Sequence, residues 1–140
     1  MNYARSFFGL TAIEDRLYAT GGVGLSTSSK TSVESFSHET GWGIEDTMEL
    51  PSPRSYHCSV ALGTRLVVVG GFDDSHVSNS VQAFDTSSQA LNTTASWISL
   101  ASMNAARQAH ACNTGDFEGI FGIYVAGGYN EGFLNTVEFY

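Results

Sequence analysis

Few residues in this chain sit at spacings that could do chemistry. The most pointed is Asp73-Asp74-Ser75-His76, two carboxylates and an imidazole within four positions. A second set is Arg5, Arg54 and Arg107, followed three residues later by Phe8, His57 and His110. Arginine with histidine around a shared opening would bind an anion. The same residues could instead bond backbone carbonyls in each copy of a repeated scaffold, and residues recurring in every copy favour that second reading. A zinc site would need a third ligand beside His57 and His110, and no carboxylate or cysteine stands at ligand spacing from both. His38 and His76 have no visible partner. No nucleophile, base and orienting group occur together. Gly21-Gly22-Val23-Gly24 lacks the lysine that a phosphate loop requires.

Cys58 and Cys112 are the only cysteines. They follow His57 and His110 by one and two residues, so they are not equivalent, and they form no Cys-x-x-Cys pair. The expectation is two buried thiols in a reducing compartment. Asn92-Thr93-Thr94 is a glycosylation sequon that matters only in a secreted chain.

The elements that must position these residues are repeated. Leu66-Val-Val-Val-Gly-Gly71 has counterparts in Leu17–Gly22 and Ile123–Gly128. Residues 1–22 fall on residues 50–71 without a gap. Arg5, Ser6, Ala12, Arg16-Leu17 and Gly21-Gly22 then meet Arg54, Ser55, Ala61, Arg65-Leu66 and Gly70-Gly71. Met1 to Arg5 also fall on Met103 to Arg107. Each copy predicts a first strand (7–13, 56–62, 109–114), a turn (longest at 115–119) and a second strand ending in Gly-Gly. A polar loop of variable length and a third strand follow. The third strands are Val33 to Phe36, Val81 to Phe84 and Val137 to Tyr140. Valine and the aromatic lie three apart and so face opposite sides, which requires apolar partners on both faces. Trp42 and Trp97 mark a fourth strand. Pro51 and Pro53 fall in the connection, where a missing N–H costs little.

Composition agrees with an all-β chain. Charged residues are 14%, aromatics 12%, and 15 glycines supply turns. A net charge of −8 opposes nucleic-acid binding. No apolar run reaches membrane-spanning length, and residues 1–10 do not read as a signal peptide. Together with the cysteines this places the chain in the cytoplasm, without a membrane partner. Four short strands every ~50 residues describe propeller blades. An immunoglobulin-type sandwich would not repeat its own sequence.

The pattern resembles the kelch repeat. Gly70-Gly71, Val81, Phe84, Asp85, Trp97, Met103, Arg107 and His110 fill its slots. Gly21-Gly22, Val33, Phe36, Trp42, Leu50, Arg54 and His57 do so again, and Gly127-Gly128, Val137 and Tyr140 begin a third round. The expected architecture is an all-β kelch-type β-propeller fragment with four-stranded antiparallel blades, about two and three-quarter of them, in an incomplete ring. Its repeats are 1–49, 50–103 and a truncated 104–140. The resemblance implies five to seven blades for closure. A blade face of about 500 Å² left in water would cost on the order of 12 kcal/mol. Met1, lying where Met103 lies, therefore reads as internal to a longer propeller. Self-association through the exposed blade faces is the alternative.

The resemblance also implies a binding module for another protein or peptide, without a cofactor or metal, and often beside BTB or F-box domains. Contacts are expected from the loops after the glycine pairs and from the connections into each first strand. These loops differ between copies while the scaffold is constant. The candidates are Asp73, Asp74, His76, Tyr129, Asn130, Glu131 and Phe133, with Tyr56 and Arg107 second. Some kelch adaptors bind acidic peptides through arginines two positions beyond the repeat arginine. Here those positions are Phe7, Tyr56 and Ala109, which implies an aromatic or polar surface instead. A central-funnel enzyme, oxidase or sugar-processing, and a non-functional gene fragment are the other readings.

Overall fold

A computed structural model describes residues 1–87 and 96–140. Three antiparallel sheets form in chain order. Blade 1 contains β1 (Gly9–Ile13), β2 (Arg16–Thr20), β3 (Val33–Ser37) and β4 (Gly41–Ile44). Blade 2 contains β5 (Cys58–Leu62), β6 (Arg65–Val69), β7 (Val81–Asp85) and β8 (Ile98–Ser99). Blade 3 has three strands among the described residues: β9 (Ala111–Phe117), β10 (Ile120–Ala126) and β11 (Val137–Phe139). Neighbours in each sheet are neighbours in sequence, so each blade is a meander, and the three do not close a ring. The sequon Asn92–Thr94 lies outside the described residues.

The repeat register is kept in three dimensions. Leu17 pairs with Phe36 as Leu66 pairs with Phe84, and Thr20 pairs with Val33 as Val69 pairs with Val81. Alternation then sends successive side chains to opposite blade faces. Leu66, Val68 and Phe84 join Ile13, Tyr18, Val33, Met48 and Leu50 in one core, between blades 1 and 2. Val60, Val67, Val69, Val81, Ala83 and Met103 join Ile123 and Val125 in a second, between blades 2 and 3. The valine and the aromatic of β7 thus serve different cores, as their spacing requires. Trp97 packs tilted against Phe84, with ring centroids 5.5 Å apart, and donates its indole N–H to the Met48 carbonyl at 3.1 Å.

The glycine pairs are packing devices. A Cβ on Gly70 would lie 2.6 Å from the Arg107 carbonyl, and one on Gly71 would lie 2.6 Å from the Ser55 carbonyl. Both also have positive φ, 57° and 95°.

Three expectations are corrected. First strands begin at Gly9, Cys58 and Ala111 rather than two residues earlier. Phe7, Tyr56 and Ala109 have φ of 55°, 52° and 51°, which breaks the ladder there. The expected loop at 115–119 is strand instead: β9 runs to Phe117, and the hairpin turns on Glu118-Gly119, both at positive φ. Cys58 and Cys112 are not free thiols but a disulfide, with Cα atoms 5.9 Å apart. The first strands β1, β5 and β9 lie side by side across the blades, so a one-residue offset in the repeat brings the two cysteines face to face. The cytoplasmic assignment loses the thiol argument with it, because disulfides persist in oxidising compartments. No helix among the described residues is long and apolar enough to cross a membrane.

Candidate interaction face

One end of the blades gathers the variable loops and the connections into each first strand. Isolated bridges place them together: Ser6 with Val23, Ser55 with Phe72, and Gln108 with Tyr129. Val23, Phe72 and Tyr129 each follow a glycine pair, so every connection pairs with the loop of its own blade. Successive connections are then bonded to one another. Tyr56 N–H donates to the Phe7 carbonyl at 2.9 Å, and Ala109 N–H donates to the Tyr56 carbonyl at 2.8 Å. The three left-handed residues thus form a hydrogen-bonded arc. Their unusual φ keeps these N–H and C=O groups in line from blade to blade. On the arc, Phe7 and Tyr56 stack at 4.1 Å and 21° between planes, with Phe7 54% exposed.

Beneath the arc, arginine holds each connection. Arg5 donates to the Gly21 and Ser32 carbonyls, and pairs with Glu34 at 2.7 Å. Arg107 donates to the Gly127 and Thr136 carbonyls and pairs with Glu138 at 2.6 Å. Arg54 donates to the Gly70 carbonyl and to the hydroxyls of Ser52, Ser78 and Ser80. Arginine on the first glycine's carbonyl is therefore common to all three blades, which is the scaffold reading of the repeated Arg. Burial lowers the pKa of Arg54, and the nearby Asp73 charge opposes that shift. Burial would raise the Glu138 pKa, but donation from Tyr140, Asn104, Ala105 and Arg107 brings it to about 2. Glu34 is lowered in the same manner by Asn2, Arg5 and Tyr3.

His57 and His110 sit under the glycine pairs. His57 Nε2 lies 2.8 Å from Thr20 Oγ1 in blade 1. Burial first, then the Arg54 charge, pushes its pKa to about 3. Burial and Arg107 push His110 to about 4. Both imidazoles are neutral inter-blade wedges at neutral pH.

The structure sorts the predicted contact residues. Phe133 is 95% exposed and stands edge-on to Tyr129 at 5.7 Å. Glu131 at φ 56° turns that loop, and Asn130 N–H closes it on the Gly132 carbonyl. His76 is exposed and bends back toward Asp73 at 3.9 Å. Asp73 accepts from the Ser75 and His76 N–H groups and so shapes its own loop, and the His76 donation is the main cause of its lowered pKa. Asp74 accepts from the backbone N–H of Ser29, at 2.9 and 3.0 Å, and from its hydroxyl at 2.6 Å. It clamps the blade 1 loop to the blade 2 loop. Arg107 has no exposed surface and is removed from the contact face as an internal clamp.

Three features of this end escaped the sequence reading. Phe7, placed by its position two beyond the repeat arginine on an aromatic or polar surface but not among the candidates, is the stacked partner of Tyr56. Leu25, wholly exposed, tops the blade 1 loop. Beside it a cavity of about 270 Å³ is lined by Asn2, Tyr3, Ala4, Ser26 and Lys30, with the Lys30 ammonium 5.4 Å from the Tyr3 ring centroid. The funnel itself, about 380 Å³, is lined by Leu10, Thr11, Ala12, Ser59, Val60, Ala61, Cys112, Asn113 and Thr114. That lining is hydroxyl, amide and aliphatic. It can exchange hydrogen bonds with a neutral polar group.

The comparison with known families falls on the middle of the chain. Residues 53–104 match the family described as the Kelch motif. This segment is a kelch repeat. It begins at the connection into β5 and ends just past Met103, so it spans all four strands of blade 2. No curated protein matches the chain. The three sheets form a partial propeller, all-β and open.

Proposed function

We propose that this kelch module binds another protein or peptide through the loop end of its blades. The observation that carries the reading is the Phe7–Tyr56 stack on a fixed backbone arc, flanked by Phe133, Tyr129 and Leu25 in loops that differ between blades. Rigid aromatic side chains bury much area for little lost conformational freedom, which suits a contact centre. The arc supplies the rigidity, and the loops supply the specificity. Asp73 and His76 add polar groups at the rim. A partner presenting apolar side chains with a few hydrogen-bond donors fits this face better than an acidic one, because Asp73, Asp74 and Glu131 surround it.

The test uses a displayed random-peptide library selected on the intact 140-residue chain. Selected peptides should lose at least about tenfold in affinity to Phe133→Ser and to Phe7→Ser. They should keep their affinity for Glu118→Ala, at the opposite end of blade 3. Equal binding to all three variants would refute the loop end as the contact face.

A further inference from the structure

The two seams between blades are held by different chemistry. Across the seam between blades 1 and 2, side chains bond directly. Thr11 Oγ1 lies 2.6 Å from Ser59 Oγ, and Thr20 Oγ1 lies 2.8 Å from His57 Nε2. Ser29 donates its hydroxyl to Asp74 at 2.6 Å. The repeat carries these three hydroxyl positions into blade 2, and valine stands at each. Thr11 pairs with Tyr18 as Val60 pairs with Val67, and Thr20 pairs with Gly9 as Val69 pairs with Cys58. Ser29 bridges to Val23 as Val77 bridges to Phe72. On the facing side, Ser59, His57 and Asp74 become Cys112, His110 and Glu131. Valine has no polar group to offer, so none of the three bonds recurs between blades 2 and 3.

The Cys58–Cys112 disulfide crosses that second seam instead. Its two positions correspond to Gly9 and Ser59 in the first seam, where a Cβ on Gly9 would collide with Ser59 Oγ. Both seams thus bring the same pair of positions together, once as glycine beneath a hydroxyl and once as a covalent bond. Around the disulfide the seam is aliphatic, with Val60, Val67, Val69 and Val81 against Ile123 and Val125. Apolar burial holds such surfaces together, but it is non-directional and does not fix how one blade sits on the next. The disulfide supplies that direction. Both cysteines are half-buried rather than sealed, and Cys112 lines the funnel.

We propose that the Cys58–Cys112 disulfide is a redox switch for the seam between blades 2 and 3, and through it for the loop end of the blades. A dithiol reductant supplies the two electrons and two protons. One of its thiolates attacks Cys112 Sγ from the funnel, the Sγ–Sγ bond breaks, and Cys58 leaves as a thiolate that takes up a proton. The second thiol of the reductant then displaces Cys112, which is also protonated, and the reductant departs as a disulfide. Cys58 lies two residues from Tyr56, and Cys112 three from Ala109. The Ala109 N–H donates to the Tyr56 carbonyl at 2.8 Å, so this bond of the arc spans the seam that reduction frees. The Tyr56 N–H to Phe7 carbonyl bond, at 2.9 Å, spans the seam that hydroxyls hold, and it stays. With the disulfide formed, Tyr129 and Phe133 keep a fixed place relative to the Phe7–Tyr56 stack. With free thiols, only the part of the face on blades 1 and 2 remains fixed.

Native-state amide exchange on the full 140-residue chain, with and without dithiothreitol, tests the switch, and alkylation followed by mass measurement counts the free thiols. After reduction the Ala109 amide should exchange about tenfold faster, while the Tyr56 amide keeps its rate. Cys58→Ala with Cys112→Ala should show the same fast Ala109 amide with no reductant present. An unchanged Ala109 rate in the fully reduced chain would overturn the proposal, and so would a slow Ala109 amide in the double variant. Loss of protection at both amides together would also overturn it, because the disulfide would then support the whole fold and not one seam. So would a disulfide that resists dithiothreitol while the chain is folded. Only the choice of the loop end as the surface that matters rests on the binding reading. Amide exchange needs no ligand, so the switch can fail while peptide binding stands, and the reverse.

Discussion

Blades 1 and 3 hold their connections with charge, whereas blade 2 does so without it. In the outer two, the repeat Arg meets a carboxylate, Glu34 or Glu138, that also accepts two backbone N–H groups from the incoming connection. In blade 2 the carboxylate position is Gln82, and the residues at the donor positions are Pro51 and Ser52. Proline has no N–H to offer. With that donor gone, a buried carboxylate would lack one of the bonds that offset its desolvation. The blade instead surrounds Arg54 with three serine hydroxyls and a carbonyl. The same local geometry is reached by ion pairing in two copies and by neutral acceptors in the third. The repeat conserves the direction of the Arg side chain and leaves the chemistry of its partner free.

This contrast can be broken experimentally. The largest effect is expected for Arg107→Ala, which strands Glu138 and two carbonyls. Chemical denaturation should show a loss of about 3–5 kcal/mol at neutral pH. Arg54→Ala removes bonds to neutral oxygens only and should cost about 1–3 kcal/mol. Equal losses would show that the carboxylates contribute nothing specific.

Acid should separate the two clamp types next. His57 and His110 have folded pKa values near 3 and 4, below the ~6.5 of an unfolded imidazole. The unfolded chain therefore binds protons that the folded chain refuses, and stability falls as pH drops from about 6.5 toward 4. Glu138 and Glu34 are depressed as carboxylates, so their contribution is present above about 4.5; it is lost for Glu138 as pH falls toward 2, and for Glu34 as pH falls through its own lowered pKa. The Arg107→Ala penalty should shrink below pH 4.5, where the stranded Glu138 takes up a proton, whereas the Arg54→Ala penalty should shrink less, and only through relief of the His57 imidazole that Arg54 opposes. Denaturation midpoints measured across pH 3–7 check both statements.

The smallest effect is also the most specific. Gln82→Glu alone should change stability by no more than about 1 kcal/mol, because the new charge lacks one of its two backbone donors. Combined with Pro51→Ala, which restores an N–H, it should show favourable coupling of about 0.5–1.5 kcal/mol in a double-mutant cycle. Additive behaviour would mean that Pro51 and Gln82 are unrelated.

What the sequence disclosed follows from what repeats. Leu66–Gly71, the Val-to-aromatic spacing and the Arg positions each recur in register, so one copy interprets the others. The features that stayed hidden are those that cross between blades or occur once. Asp74 looked like an exposed recognition residue because its partner, Ser29, lies in another blade's loop. Phe7 and Tyr56 carry no mark of their left-handed backbone, since glycine is the residue that usually announces one. Cys58 and Cys112 were misread for the opposite reason. They stand out of register by one position, and only the stacking of β5 against β9 turns that offset into a bond.

That bond has a topological consequence. It makes residues 58–112 a closed covalent loop, and nearly all of blade 2, including the segment between β7 and β8, lies within it. A protease that cuts once inside the loop converts the chain into two peptides that still travel as one molecule. They separate only when a thiol reductant is added, so the nicked protein runs at full mass on a non-reducing gel and as two bands on a reducing one.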